Sequence, residues 1–252
     1  MPGREYLKKN GTTFLNHQVA SQVCSSARST VYTGQHIPHT GVFDNMGVPW
    51  QANMSTSVAT IGHRLQQLGY HAAYQGKWHL SENIASARQP VDASLLKNRE
   101  IIESYGFADF LGVGDLIDGA LGGYSYDDYS TGSAMTWLRT KAHELEAQGK
   151  PWFMAVNLVN PHDVMWVNSD LPGETVQGKT HAFPIDRPPG NEIYRAEWDV
   201  PLQATRHQPL DAPGRPPAHL QYQLSQDILV GQWPDEDRRW RLVAKLLLQL
   251  YP

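Results

Sequence analysis

Apolar side chains in the first half of the chain recur with two periods, and the switching between them outlines alternating helices and strands. Val58, Ile61, Leu65 and Leu68 fall at helical spacing and Gly69 supplies the stop, which predicts a helix over 58–68. A short strand over 71–75 follows and runs into Gly76, Lys77, Trp78 and His79. The pattern then predicts a helix over 95–105, an extended piece over 107–111 and a glycine-rich loop over 112–123. Met135, Leu138, Ala142 and Leu145 form a further helical stripe, with Thr131 or Ser133 as its cap and Gly149 beyond its end. The run 152–159 is almost wholly apolar, the mark of a strand covered on both faces in a mostly parallel sheet, and it ends at Asn160, Pro161, His162 and Asp163.

Upstream, residues 2–10 read as a short helix stopped by Gly11. A second helix over 26–32, with Ser25 or Ser26 as its N-cap and Gly34 past its end, sets Cys24 at a helix N-terminus. Downstream, 171–217 holds nine of the 17 prolines and no sustained period, which predicts an extended excursion rather than a second core. The tail over 235–252 is charged and then leucine-rich, a terminal amphipathic helix; Asp235, Glu236 and Asp237 beside Arg238 and Arg239 read as a solvated face. The fold class this predicts is α/β, a layered α/β/α arrangement around a mostly parallel sheet. Such sheets carry their chemistry at the carboxyl ends of the strands, where 76–79 and 160–163 both fall.

Composition narrows the function. The chain has 252 residues, 40% of them apolar, enough for a sizeable core. A net charge of −4 without a long Lys/Arg run argues against a nucleic acid partner. The longest apolar stretches fall far short of the roughly 20 residues that cross a bilayer, so no membrane span is expected. Arg4, Glu5, Lys8, Lys9 and Asn10 stand where an export signal would need an apolar centre. One cysteine excludes an intramolecular disulfide and a multi-cysteine zinc cage.

The candidate chemistry centres on that cysteine. Cys24, with Arg28 one helical turn on, sits in positive potential that favours a thiolate or a bound oxyanion, although a lone cysteine is more often a packing residue. Three residues separate Cys24 from Arg28, against five in phosphate-loop cysteine phosphatases. Lys77 and His79 flank Trp78, and in extended backbone both would face one anionic group. His162 follows Pro161, whose ring restricts the backbone beside the imidazole. His36 and His39 around Pro38, and Asp127 and Asp128 between Tyr126 and Tyr129, are weaker ligand candidates and read more simply as turn or helix-start residues.

Taken in order, these pieces resemble the sulfatase family of the alkaline phosphatase superfamily. The residues that carry the resemblance are Cys24-Ser25-Ser26-Ala27-Arg28 with Thr33-Gly34-Gln35, then Pro38-His39-Thr40-Gly41-Val42, then Leu68-Gly69-Tyr70 leading to Gly76-Lys77-Trp78-His79-Leu80, and Val159-Asn160-Pro161-His162-Asp163. The resemblance implies hydrolysis of sulfate esters by formylglycine, made from Cys24 by a formylglycine-generating maturase. One oxygen of the hydrated aldehyde attacks sulfur, the alcohol leaves, and the second hydroxyl expels sulfate as the aldehyde re-forms. Calcium or another divalent cation, with Cys24 as formylglycine among its ligands, is implied as the cofactor. By position Arg28 would orient the nucleophile, Lys77 would bind sulfate oxygen and His79 would assist sulfate release. His162 would bind sulfate and protonate the leaving oxygen.

Two departures shape the expectation. Ser26 stands where the family motif has proline, which bears on recognition by the maturase. Only 23 residues precede Cys24 and none is Asp, whereas the family's paired metal-binding aspartates lie upstream; no Asp-His-Gly or Asp-Asn-Gly strand follows either. The expectation is therefore a sulfatase-like fragment, inactive alone: 1–170 a partial catalytic domain, 171–234 an excursion of the same domain and 235–252 a terminal helix. The leaving-group pocket is expected from 81–90 and the proline-rich segment. The alternatives are a phosphodiesterase or phosphonate monoester hydrolase of the same superfamily, or a non-catalytic sulfatase-like binding module. Substrate identity and cellular compartment are left open by the sequence.

Overall fold

The computed structural model describes residues 2–82, 84, 95–112, 122–177, 188, 190–229 and 231–250. They fall into two compact units, one of Pro2–Asp118 and Tyr126–Val159, the other of Gly119–Ser125 and Asn160–Pro252. The glycine-rich loop over 112–123 and the loop over 81–90 lie mostly outside the described residues.

In the first unit, helix α1 (Pro2–Asn10) precedes α2 (Cys24–Thr33), the short α3 (Ile37–Thr40) and α4 (Ile61–Gln67). Thr60 starts α4 through a capping box: its hydroxyl accepts the His63 N–H while the His63 ring serves the Thr60 N–H. Strand β1 (His71–Gly76) follows, then α5 (Leu95–Ser104), α6 (Gly122–Trp137), a wider helical turn over Leu138–Ala142, α7 (His143–Ala147) and strand β2 (Trp152–Asn157). The long helix begins well before the stripe that predicted it, so Thr131 and Ser133 lie inside it instead of capping it.

β1 and β2 pair in parallel from His71 opposite Trp152 to Gly76 opposite Asn157. On its other side β1 is bridged at Ala73 to Ala108, within the extended piece that the sequence predicts. This helix-bearing parallel pairing makes the fold α/β. β2 departs from the expectation of burial on both faces: most of its residues are half-buried and Val156 is 43% exposed. The apolar run reports strand propensity, while its cover depends on elements far away in sequence. The core is instead an aromatic cluster in which Tyr32, Tyr74, Trp78, Tyr105 and Phe107 meet, with a smaller one around Trp137, Ala142 and Leu145. Ring centroids 4.9–6.1 Å apart, mostly tilted or edge-on, are in the range that aromatic quadrupoles favour.

The second unit holds a short turn over His162–Trp166, α8 (Glu192–Arg195), a turn over Ala204–His207, α9 (Pro217–Leu229) and α10 (Asp237–Leu250). The solvated face expected near Arg239 is a correction. Arg239 is 1% exposed and pairs with Asp170 at 2.8 Å, Glu174 at 3.1 Å and Glu236 at 3.2 Å. The charge run looked solvated because Asp170 and Glu174, which surround it, are more than sixty residues away. No helix among the described residues is long and apolar enough to cross a membrane.

Candidate functional site

The carboxyl end of β1 is shaped by a close approach of backbones. Gly76 has φ +91°, and a Cβ there would run into the Asn157 carbonyl oxygen, so only glycine fits without displacement. The Lys77 N–H donates to that same carbonyl at 3.0 Å and continues the ladder one residue past the strand. Trp78 is fully buried among the aromatic rings. Lys77 and His79, on either side of it, are both buried. His79 adopts φ +54°, a left-handed conformation, so the simple alternation of an extended turn stops there. The sequence reading that sent both side chains the same way rested on extended backbone, which residue 79 does not keep.

Cys24 is the first residue of α2, half-buried and a free thiol. Neither serine caps this helix. Ser25 and Ser26 lie within it, Val23 occupies the cap without a side-chain bond, and the Ser25 N–H donates to Asn45 Oδ1 at 3.0 Å. The loop is tied back in turn, the Met46 N–H donating to Ser25 Oγ at 3.1 Å. Buried Gln51 holds the loop through four bonds, accepting from the Phe43 and Asp44 N–H groups and donating to the Gly41 and Ala52 carbonyls. Gly34 ends α2 with φ +66°, as the sequence predicts.

Arg28 joins the two motifs. Its Nε donates to the Trp78 carbonyl at 2.7 Å, and its terminal nitrogen reaches Tyr74 Oη at 2.7 Å, Asn157 Oδ1 at 3.1 Å and the Lys77 carbonyl. Tyr32 Oη also donates to Asn157 Oδ1, at 2.5 Å. A planar fork with several donors suits this use, clamping a helix onto a strand end through backbone oxygens. The helix that begins at Cys24 is thus fastened to the turn that bears Lys77 and His79. Through these bonds to Lys77, Trp78, Tyr74 and Asn157 the Arg28 side chain ties α2 to the end of β1.

Asn157, Tyr74, Tyr32 and Asn45 are residues that sequence reasoning missed. Asn157 carried a signal, as the polar residue closing an apolar strand; Asn45 carried none, because it lies 20 residues from the amide that it serves.

His162 belongs to the second unit and opens the turn over His162–Trp166. Its Nδ1 lies 3.4 Å from Oδ1 of Asp163, which is fully buried and accepts the Gly123 N–H at 2.9 Å on its other oxygen. The same carboxylate adds to burial and Tyr194 in pushing the nearby Tyr124 phenol up to about 12. The weaker candidates have local tasks. His36 is the N-cap residue of α3, and Asp127 accepts the Val159 N–H at 2.7 Å. Calcium takes six to eight oxygen ligands. Among the described residues no group of three or more His, Cys, Asp or Glu could hold a metal ion.

A family model for sulfatases matches residues 1–208. Choline-sulfatase of Rhizobium meliloti is 26% identical over 180 residues, covering 64% of this chain and 33% of that protein. Arylsulfatase G of Rattus norvegicus is 31% identical over 77 residues, 31% of this chain and 15% of its own length. The arylsulfatase of Hemicentrotus pulcherrimus is 34% identical over 76 residues, 29% of this chain and 14% of its own. The chain thus spans about a third or less of the length of these curated relatives. With the family match extending from the first helix past the His162 turn, the chain belongs to the sulfatase family.

Proposed function

We propose that this chain carries the nucleophile-bearing part of a sulfuric ester hydrolase, with Cys24 converted to formylglycine by a maturase. The observation that supports this reading best is the Arg28 clamp, which fastens the helix beginning at Cys24 to the carbonyls of Lys77 and Trp78. In this reading the hydrated aldehyde at position 24 supplies the oxygen that attacks sulfur, and the S–O bond to the alcohol breaks. Lys77 holds the sulfate charge, His79 takes the proton of the second hydroxyl as sulfate departs, and the leaving alcohol takes a proton from water. Arg28 positions α2 from behind. A sulfate ester is the substrate class. Turnover by this chain alone is negligible in this reading, since the described carboxylates form no group for the implied cation.

The test separates maturation from catalysis. The chain is co-produced with a formylglycine-generating maturase, and the peptide spanning Cys24 is read by mass spectrometry and hydrazide labelling. Conversion at residue 24, absent in Cys24→Ser, is the expected result; an unmodified thiol with both the proline-selective and the permissive class of maturase would sink the reading. Titration with inorganic sulfate should then show binding that Lys77→Met weakens by about tenfold or more. Preferential binding of a phosphodiester analogue would favour the phosphodiesterase alternative.

A further inference from the structure

The second unit contains a cavity that none of the proposed chemistry uses. It has a volume of about 870 Å³, within the range of roughly 300–1,000 Å³ typical of small-molecule sites. Its walls come from α9, from α10 and from the segments around Val164 and Leu210. On α9, Tyr222 and Gln226 are one turn apart, as are Gln223 and Asp227, so a single helix face presents a ring, two carboxamides and a carboxylate. Trp240, from the first turn of α10, stands edge-on to Trp233 with ring centroids 5.8 Å apart.

Side chains of the wall bond to one another and to Asp237. Asp235 accepts from Trp240 Nε1 at 2.6 Å with one oxygen and pairs with His207 at 2.5 Å through the other. Arg206 reaches Asp237 Oδ1 through two nitrogens, at 2.8 and 3.2 Å. Arg206 and Asp237 offset one another's charge, and Gln223 donates to Asp227 at 2.8 Å. The carboxamides of Gln226 and Gln232, by contrast, make no hydrogen bond to the protein among the described residues, and each offers donors and an acceptor to the cavity. Trp233 Nε1 is buried with no acceptor among the described residues, a donor that calls for an explanation.

We propose that this cavity binds a neutral saccharide, with its apolar ring face against the indoles of Trp233 and Trp240 and its hydroxyls held by Gln226, Gln232 and Asp227. Indoles set at an angle offer both a face and an edge to a ring that is apolar on one side and polar at its rim. Carboxamides suit hydroxyls because each can donate and accept at once. An anion would meet the Asp227 carboxylate, and Arg206, the wall's guanidinium, is already engaged by Asp237. The proposal uses no residue of the hydrolytic reading and stands or falls without it.

The test uses the full chain, followed by tryptophan fluorescence and by calorimetric titration. Maltotriose, cellotriose and triacetylchitotriose are the probes, with tetramethylammonium and inorganic sulfate as rivals. One trisaccharide should bind with a Kd of about 1 mM or tighter, and Trp233→Ala and Gln226→Ala should each weaken it by about tenfold. Gln226 lies on a helix surface, so its variant decides the matter should Trp233→Ala fail to fold. No binding of any of the three sugars overturns the proposal, as does binding that Gln226→Ala leaves unchanged. So does tetramethylammonium binding that Trp233→Ala abolishes while the sugars remain silent, since that outcome makes the cavity a cation site.

Discussion

The two units of this chain solve the same problem with different materials. In the unit of residues 2–118 and 126–159 the buried core is a cluster of rings packed with aliphatic side chains, and the guanidinium of Arg28 ends on carbonyl, hydroxyl and amide oxygens. In the other, the most buried large side chain is a guanidinium surrounded by carboxylates. A ring cluster loses stability when volume is lost; an ion cluster loses it when a charge is left without its partner. The proposed nucleophile sits on the first kind of support, and His162 on a unit of the second kind. The two should therefore respond differently to the same perturbations.

The largest effects are expected at the two centres. Trp78→Ala empties the middle of the ring cluster and should cost about 3–5 kcal/mol. Arg239→Ala strands Asp170, 3% exposed, beside Glu174 and Glu236. It should cost about 3 kcal/mol, the low end for a buried pair because the two glutamates reach solvent. Hydrogen exchange read peptide by peptide tells the two apart. The first variant should speed exchange in β1 and β2, the second in α10 and around residues 167–177. Equal loosening of both regions by either variant would break the comparison.

Asn157→Ala comes next. It removes the acceptor shared by Arg28 and Tyr32 while leaving the backbone carbonyl that pairs with Lys77. Losing one acceptor of a phenol and of a guanidinium in this way should cost about 1–3 kcal/mol, read as a shift of the denaturant midpoint. If Arg28 positions α2 as proposed, Asn157→Asp should restore the midpoint at neutral pH better than Asn157→Leu does.

These variants also mark how far the sequence could be read. Glycine stops and the short strand β1 were legible because they depend on neighbours: Gly34 and Gly76 take positive φ where a helix or strand must end. The Cys24–Arg28 spacing and the 76–79 turn stood out for the same reason, each being a local pattern. What escaped was every bond made across the chain. Asn45 serves an amide 20 residues away, Asn157 reaches Arg28 across 129 residues, and Arg239 reaches Asp170 across 69. A charge run has the same appearance whether water or two distant carboxylates surround it. The exposure of β2 was hidden likewise, since hydropathy reports what a strand would prefer to pack against and not what arrives.

Acid should separate the units more gently. Burial works to raise the Asp109 carboxyl, but hydrogen bonds from Trp137 and His71 and the charges of His71 and Arg99 outweigh it and hold it below its usual value. In the second unit, bonds from His207 and Trp240 depress Asp235, and the Leu171 N–H and Arg238 depress Glu174. A carboxyl depressed by folding contributes stability that is complete above its unfolded value of about 4 and is lost as pH falls through the folded value. These carboxyls should thus make stability fall below about pH 4. Exchange in 160–250 should respond first, because several depressed carboxyls act there. Asp109→Asn should flatten the acid response of β1 alone.

The smallest effect isolates burial from chemistry. Lys141 and Glu144 lie 3.1 Å apart on the surface of the first unit, scarcely farther than Arg239 and Asp170 at 2.8 Å. Both are a cation beside a carboxylate; water reaches one pair and not the other, and the effective dielectric differs accordingly. Lys141→Ala should therefore cost only about 0.2–0.5 kcal/mol, and raising the salt concentration should erase most of that. A cost near that of Arg239→Ala would mean that distance, and not exclusion of water, sets the strength of ion pairs in this protein. The contrast drawn between its ring-supported and charge-supported units would then lose its physical basis.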